Sequence, residues 1–365
     1  MKVVIVGAGN MGLAMAAYMA VYYKADVTLF TNKNIRFLNL NMAEQEIAER
    51  TDDFVTTYDP AEAFPNADIV FVTYPAFLRK KFIEDCGKYI QSGCRLGFIP
   101  GYGGAEYFCK ELIERDVTIF GLQRVPYVAR ANGCEANILS KKKALFVSSI
   151  PVSKVNNLAK NIEQLLDIKT VAIKDYLSIT LTPTNPIIHI AGLWGAFKDY
   201  NQNVGYIRKV GFYDQWDDMT SKLLFDYDSE VQNICKELDM FDLSSVVSLP
   251  IYYESDTPEK LTQKLKSIES FKVVKVPLKT YENKLIVDLN NRMFTEDFPF
   301  GVVVYKDIAN ILKIQTPVID KLLEFYESLS GIKYDFAVDK STLLETGAPS
   351  ANGLENFENF VKFYK

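Results

Sequence analysis

A chain of 365 residues exceeds the size at which one hydrophobic core usually divides into two. With 48% hydrophobic and 24% charged residues it has the composition of a globular protein, which argues against disorder. A net charge of −5 without a long basic run argues against a duplex nucleic-acid binder, and no apolar stretch approaches the roughly 18 residues that span a bilayer.

The first half alternates apolar runs with amphipathic stretches, the pattern of a mostly parallel sheet built from βαβ units. Strands are predicted at Lys2–Val6, Asp26–Phe30, Asp68–Tyr74, Arg95–Ile99 and Val117–Phe120, with helices near Met11–Tyr23, Phe77–Ile90 and Ala105–Arg115. The apolar run after Met1-Lys2 is too short for a signal-peptide core and ends in glycine, so the fold is expected to begin at the first residue. Two strand-like runs around Tyr127 and Ala144–Ser148, a helix near Ser153–Leu166 and a strand at Lys169–Ile173 complete this part. Beyond Lys174 the apolar period lengthens from two towards 3.6. A helix opens at Thr184-Asn185-Pro186, with Asn185 expected as N-cap and Pro186 as first helical residue. Asp217–Met240 carries another apolar helical face, and Thr316-Pro317 opens a helix that Gly331 stops. The expected organisation is a dinucleotide-binding α/β domain over 1–175 and an all-α domain over 176–365. The five cysteines never form CxxC, so neither a zinc site nor a disulfide framework is expected, and free thiols suit the cytoplasm.

Gly7-Ala8-Gly9-Asn10-Met11-Gly12 is a GxGxxG motif directly after the first strand and at the opening of a helix. In that context Gly7 permits the tight turn, Gly9 lets backbone approach a pyrophosphate, and Gly12 allows close helix–strand packing. The backbone of Asn10 and Met11 begins the helix whose free N–H groups face the anion. Cofactor-binding candidates further along are Pro75, after the strand Asp68–Tyr74, and the residues after the second strand. There Thr31, Asn32, Lys33 and Arg36 stand where an NAD-binding domain usually places an acid, which favours NADP(H) over NAD(H). Lys33 and Arg36 also read as ordinary solvated helix charges.

His189 is the only histidine and lies one turn into the helix, on one face with Asn185. Gly192 and Gly195 further along would let another element come close. By itself the lone histidine reads as a core residue. The turn-rich segment from Arg292 through Gly301 adds a cation, a hydroxyl and the two carboxylates Glu296 and Asp297. A general base needs an orienting carboxylate, and a carboxylic-acid substrate needs a cation.

Taken together these segments resemble the opine dehydrogenase family, of the octopine/nopaline dehydrogenase type. Gly7–Gly12 is joined by Pro100-Gly101-Tyr102-Gly103-Gly104, similar to the family's PGxGG turn, and by Val125-Pro126-Tyr127-Val128-Ala129-Arg130, similar to its LPYxxR stretch. Asn185-Pro186-Ile187-Ile188-His189 is similar to the segment with its catalytic histidine, and Arg292 through Gly301 to its RxxTEDxPxG segment. Thr316-Pro317-Val318-Ile319-Asp320 is similar to the helix that follows. Departures at Ile190-Ala191, Phe298 and Gly121-Leu122 are expected near the substrate side chains and bear on substrate identity.

The resemblance implies a Rossmann domain joined to a helical domain of the 6-phosphogluconate-dehydrogenase kind. It implies NAD(P)H-dependent reductive condensation of an amino acid with a 2-keto acid such as pyruvate. His189 would be the general acid/base, oriented by Asp297; Arg292 would hold a substrate carboxylate; Asn185, Gln123 and Arg130 would line the pocket. No metal is implied, and the partners are small molecules, with a homodimer expected on base rates alone. Two other functions share the two-domain plan. One is a ketone reductase of the ketopantoate or glycerol-3-phosphate dehydrogenase type, which uses a helical lysine; Lys198 lies too far along to share a face with His189. The other is an NADP(H)-sensing protein without turnover.

Overall fold

A computed structural model describes residues 1–365 apart from 24 and 202. Two compact units emerge. One holds Met1–Thr180 with Tyr364–Lys365, the other Leu181–Phe363.

The first unit is built on β1 (Lys2–Val6), β2 (Asp26–Phe30), β3 (Leu38–Met42), β4 (Ile47–Thr51), β5 (Phe54–Thr57), β6 (Ile69–Val72), β7 (Arg95–Phe98), β8 (Thr118–Leu122), β9 (Tyr127–Asn132), β10 (Glu135–Lys141), β11 (Leu145–Ile150) and β12 (Thr170–Ala172). Eight strands form one sheet in the order β12-β11-β8-β7-β6-β1-β2-β5, parallel except between β8 and β11. The order reverses at β1, which pairs with β2 on one side and β6 on the other (Val3↔Val27 and Val3↔Ile69). Such a switch point opens a crevice at the strands' carboxyl ends. β1 and β6 are apolar on both faces because helices cover both, and Val3–Val6 and Ile69–Val72 are fully buried.

The remaining four strands form a second sheet, β4-β3-β10-β9. It packs on the helix Asn10–Tyr18, which the main sheet covers from the other side. That helix is therefore buried from Gly12 to Tyr18 all round, not amphipathic as the sequence suggested. β3, β4, β5 and β10 were absent from the predicted elements. Between β3 and β10 the facing side chains are polar: Asn39 and Asn41 donate to Glu135, at 2.6 and 2.9 Å, so these two runs show little apolar signal. Arg36 stands in the coil before β3, not on a helix.

The second unit is helical, with one hairpin of β13 (Leu278–Tyr281) and β14 (Lys284–Val287). The helix Asn185–Phe197 packs on Asp218–Glu237. Close approach is possible because Gly192 and Gly195 lack side chains: a Cβ would lie 2.4 Å from Phe212 and 2.2 Å from Thr220 respectively. The N-cap of the first of these helices is Thr184, not Asn185; Asn185 is its first residue and Pro186 its second. Asp217 caps the other with its side chain on the Thr220 amide at 2.7 Å. The helix Pro317–Ser330 begins after Thr316 and stops at Gly331, whose φ of +72° suits glycine. No helix of the described residues is long and apolar enough to cross a membrane.

Candidate active site

The first unit's candidate site lies at the carboxyl ends of β1 and β6. Gly7 adopts φ +102°, and a Cβ on Gly12 would sit 1.8 Å from the Gly7 carbonyl oxygen, so the turn and the helix close on each other only with glycine at both places. A Cβ on Gly9, by contrast, would meet nothing within 4 Å. The space beside Gly9 is open to a ligand, next to a helix whose N-cap offers no side-chain bond to its first amides. This cradle fits a dinucleotide's pyrophosphate.

The other cofactor candidates divide by structural role. The Asn10 side chain is occupied, its Oδ1 accepting from the Ala131 amide at 2.9 Å, and Met11 packs against the core. Their backbone is what remains for a ligand. Thr31 is buried and its Oγ1 accepts from the Lys33 amide, while Asn32 is exposed. Lys33 Nζ donates to the Ala8 carbonyl at 2.9 Å, placing its charge over the glycine turn. It lines a cavity of about 420 Å³ with Ala8, Gly9, Asn10, Asn34 and Cys134. Arg36 is exposed and outside that lining. Pro75 leads into a short turn, Ala76–Leu78, and accepts from the Leu78 amide. Sequence reasoning missed Thr73, whose Oγ1 donates to the Val6 carbonyl at 2.8 Å and stands against Gly7 and Gly12. Its position at the end of β6, beside the switch point, was the available signal. It also missed a cleft of about 300 Å³ between Phe30, Tyr58, Tyr74 and Leu78.

In the second unit, His189 Nδ1 and Asp297 Oδ2 lie 2.8 Å apart. The contact follows from the local chain. Asn291 caps the helix Arg292–Thr295 through the Met293 amide, and the backbone then widens into a π-type turn over Phe298–Val302, with the Val302 amide donating to the Asp297 carbonyl. Gly301 lets this turn touch the beginning of the His189 helix, since a Cβ there would lie 2.3 Å from Pro186 Cβ. The Asn-Pro and Pro-x-Gly pieces are thus two halves of one packing contact, and it brings carboxylate to imidazole. His189 keeps 19% of its side chain exposed and Asp297 5%, so the imidazole is reachable and its partner is not. Burial pushes the Asp297 carboxyl up, and the His189 imidazole pulls it back. Phe212 stands perpendicular to the imidazole, with ring centres 6.1 Å apart.

Glu296, the neighbouring acid, turns elsewhere. Its Oε2 accepts from Arg292 Nε at 2.8 Å, and Arg292 remains exposed. Asn185 is also exposed, one turn before His189. Phe298, expected near a substrate side chain, is instead fully buried and stacked on Tyr326 at 4.2 Å. Ile190 and Ala191 are buried helix core, and Gly121-Leu122 are buried in β8. Gln123 and Arg130 belong to the first unit. Gln123 is buried and its amide donates to the Phe146 carbonyl, while Arg130 is exposed on β9 and donates to the Ala129 carbonyl.

Comparison with known proteins agrees with both halves. Residues 172–330 match the family model "NAD/NADP octopine/nopaline dehydrogenase, alpha-helical domain", and residues 3–131 match that of ketopantoate reductase PanE/ApbA. Octopine dehydrogenase of Mizuhopecten yessoensis is 24% identical over 82% of this chain and 79% of its own. A structure of octopine dehydrogenase with NADH and pyruvate superposes with a TM-score of 0.88 at 22% identity, covering 100% of this chain and 98% of the other. Yersinopine dehydrogenase bound to NADP⁺ gives 0.71 at 12% identity, over 99% of each chain. Residues 172–330 thus carry the helical domain of the NAD/NADP octopine/nopaline dehydrogenase family, and the chain is an opine dehydrogenase-like oxidoreductase that uses a nicotinamide dinucleotide.

Proposed function

We propose that the chain joins the amine of an amino acid to the carbonyl carbon of a 2-keto acid such as pyruvate, and yields a secondary amine, with His189 as general acid/base. The observation that carries this reading is the 2.8 Å pair of His189 and Asp297. With Nδ1–H donating to the carboxylate, Nε2 is the nitrogen left to exchange a proton with substrate. It takes a proton from the attacking ammonium group and returns one to the carbinolamine hydroxyl, which departs as water and leaves a protonated imine. Bound dihydronicotinamide supplies a hydride for the imine carbon. Asp297 holds the imidazole's orientation and balances its charge when it is protonated. Arg292, steadied by Glu296, and Asn185 are the candidates to hold substrate in the second unit, and Gln123 and Arg130 in the first.

The glycine turn, Thr31, Asn32 and Pro75 would hold the dinucleotide. Lys33 favours NADP(H), because its ammonium group stands after the second strand where no acid repels a 2′-phosphate. Octopine dehydrogenase in structure binds NADH and yersinopine dehydrogenase NADP⁺, so either cofactor fits this fold. The match of residues 3–131 to ketopantoate reductase supports a second reading, reduction of a plain ketone. An assay with a panel of amino acids and pyruvate separates the two. Oxidation of NADPH that requires the amine supports condensation, and equal rates without amine overturn it.

A further inference from the structure

The chain passes between the two units twice, after Thr180 and before Tyr364. Both residues end on one oxygen atom. Oε1 of Glu106 accepts from the Thr180 hydroxyl and, at 2.9 Å, from the Tyr364 hydroxyl, which also lies 2.7 Å from the Tyr107 hydroxyl. Glu106 is fully buried in the turn Ala105–Cys109, just after Pro100-Gly101-Tyr102-Gly103-Gly104. That preceding turn is itself fixed. The Arg79 guanidinium, 1% exposed, donates to the carbonyls of Pro100 at 2.9 Å and Tyr102 at 2.6 Å. A carboxylate placed on a rigid support and shared by two segments 184 residues apart is more than a satisfied core acid, which would need only local partners.

We propose that Glu106 is a positioning residue that anchors both chain crossings at once, so that the lead into the His189 helix and the last helix, Phe357–Tyr364, are held or released together. Four residues, Leu181–Thr184, separate the anchored Thr180 from that helix, and all four are buried, so a shift at Thr180 reaches Asn185 with little slack. The significance for turnover rests on the catalytic reading of His189. The anchor itself rests only on the geometry.

The same geometry makes the anchor responsive to pH. Among the described residues the second oxygen, Oε2, is buried without a hydrogen-bond partner. The groups that face the carboxyl are Arg79, Tyr107, Cys109, Tyr176, Tyr364 and the neutral Thr180. Burial pushes it up to about 7, against the pull of Thr180, Tyr364 and Arg79. A state in which Glu106 meets water has a lower pKa, so raising the pH favours release and lowering it favours the closed anchor.

Hydrogen exchange on the full chain tests this without substrate or cofactor. Tyr364→Phe removes one hydroxyl from the anchor and should speed exchange not only in 357–365 but also in 177–184, by about tenfold, the scale of one lost hydrogen bond. Thr180→Val, which removes the other hydroxyl, should likewise speed exchange in both segments. Glu106→Gln keeps an acceptor but not the titration, so the extra exchange of wild type between pH 6 and pH 8, corrected for intrinsic rates, should vanish. If each hydroxyl variant loosens only its own segment, the anchor is overturned, even in an enzyme proved to condense amino acids. A missing condensation activity with coupled exchange sinks the reading of the reaction and leaves the anchor standing.

Discussion

Asp297 faces the His189 imidazole at 2.8 Å while the adjacent Glu296 turns to Arg292, so two neighbouring carboxylates serve two different side chains. One residue of register decides which acid meets the histidine. The turn Phe298–Val302 sets that register, and Gly301 against Pro186 holds it. Arg292 and Glu296 stand at i, i+4 on a single turn of helix, a spacing that suits an ion pair.

That division predicts different consequences for the two acids. Glu296→Gln should weaken the hold on Arg292 and raise the KM of a carboxylate substrate, with kcat largely retained. Steady-state kinetics over a substrate series reads the split; a kcat loss equal to that of Asp297→Asn would make Glu296 part of the acid/base pair instead.

Cofactor choice should turn on Lys33 more than on Arg36, because only Lys33 reaches the glycine turn. Lys33→Ala is expected to weaken NADPH by about ten- to a hundredfold, the range of a charge-assisted hydrogen bond. NADH should change little, and Arg36→Ala should have a smaller effect on both. Fluorescence titration of each variant with both cofactors measures this, and equal losses for NADPH and NADH would remove Lys33 as a selector.

Stability should fall as pH rises from about 5 to 7. Burial raises Glu106 and Asp228, each to about 7, above the ordinary values of 4.5 and 3.8. In that window the folded chain therefore binds more protons than the unfolded one, and the slope of unfolding free energy against pH is negative. For Glu106 alone the effect is on the order of 2 kcal/mol across the window. The carboxylates shifted downward, such as Asp256 and Asp335, are exposed and titrate below it. Thermal unfolding at pH 5.5 and 7.5 should show the drop, and Glu106→Gln should flatten it. A melting temperature that climbs with pH in wild type contradicts this account.

Much of the site was legible in the sequence because its parts depend on residues with few substitutes. Gly7 and Gly12 close a turn that tolerates no Cβ, and Pro186 with Gly301 marks a backbone contact. What escaped was set by burial rather than by residue type. Asn185 read as a cap, but the chain enters the helix one residue earlier, at Thr184, and the stacking of Phe298 on Tyr326 joins residues 28 positions apart. The second sheet was missed because only one of its faces is packed, and the Asn39, Asn41 and Glu135 side chains cover the other. Nothing in the residues near Glu106 foretells Tyr364, since the pair is 258 positions apart.

The strongest test is of His189 and Asp297 as one unit. His189→Ala should lower turnover by about 10²–10⁴-fold, the usual contribution of general acid–base catalysis, while NADPH still binds, because the glycine turn belongs to the first unit. Asp297→Asn keeps the shape but removes the charge that balances a protonated imidazole, so it should lower turnover as well. It also replaces a buried acid with a group that has no proton to gain, so its cost should lie in rate more than in folding. If Asp297 acts only through His189, the double variant should be no slower than His189→Ala alone. Losses that multiply would separate the two residues and give Asp297 a role of its own at the substrate. Near-full activity in His189→Ala, with only a lower melting temperature, would make the histidine a packing partner of Phe212 and remove the acid/base assignment altogether.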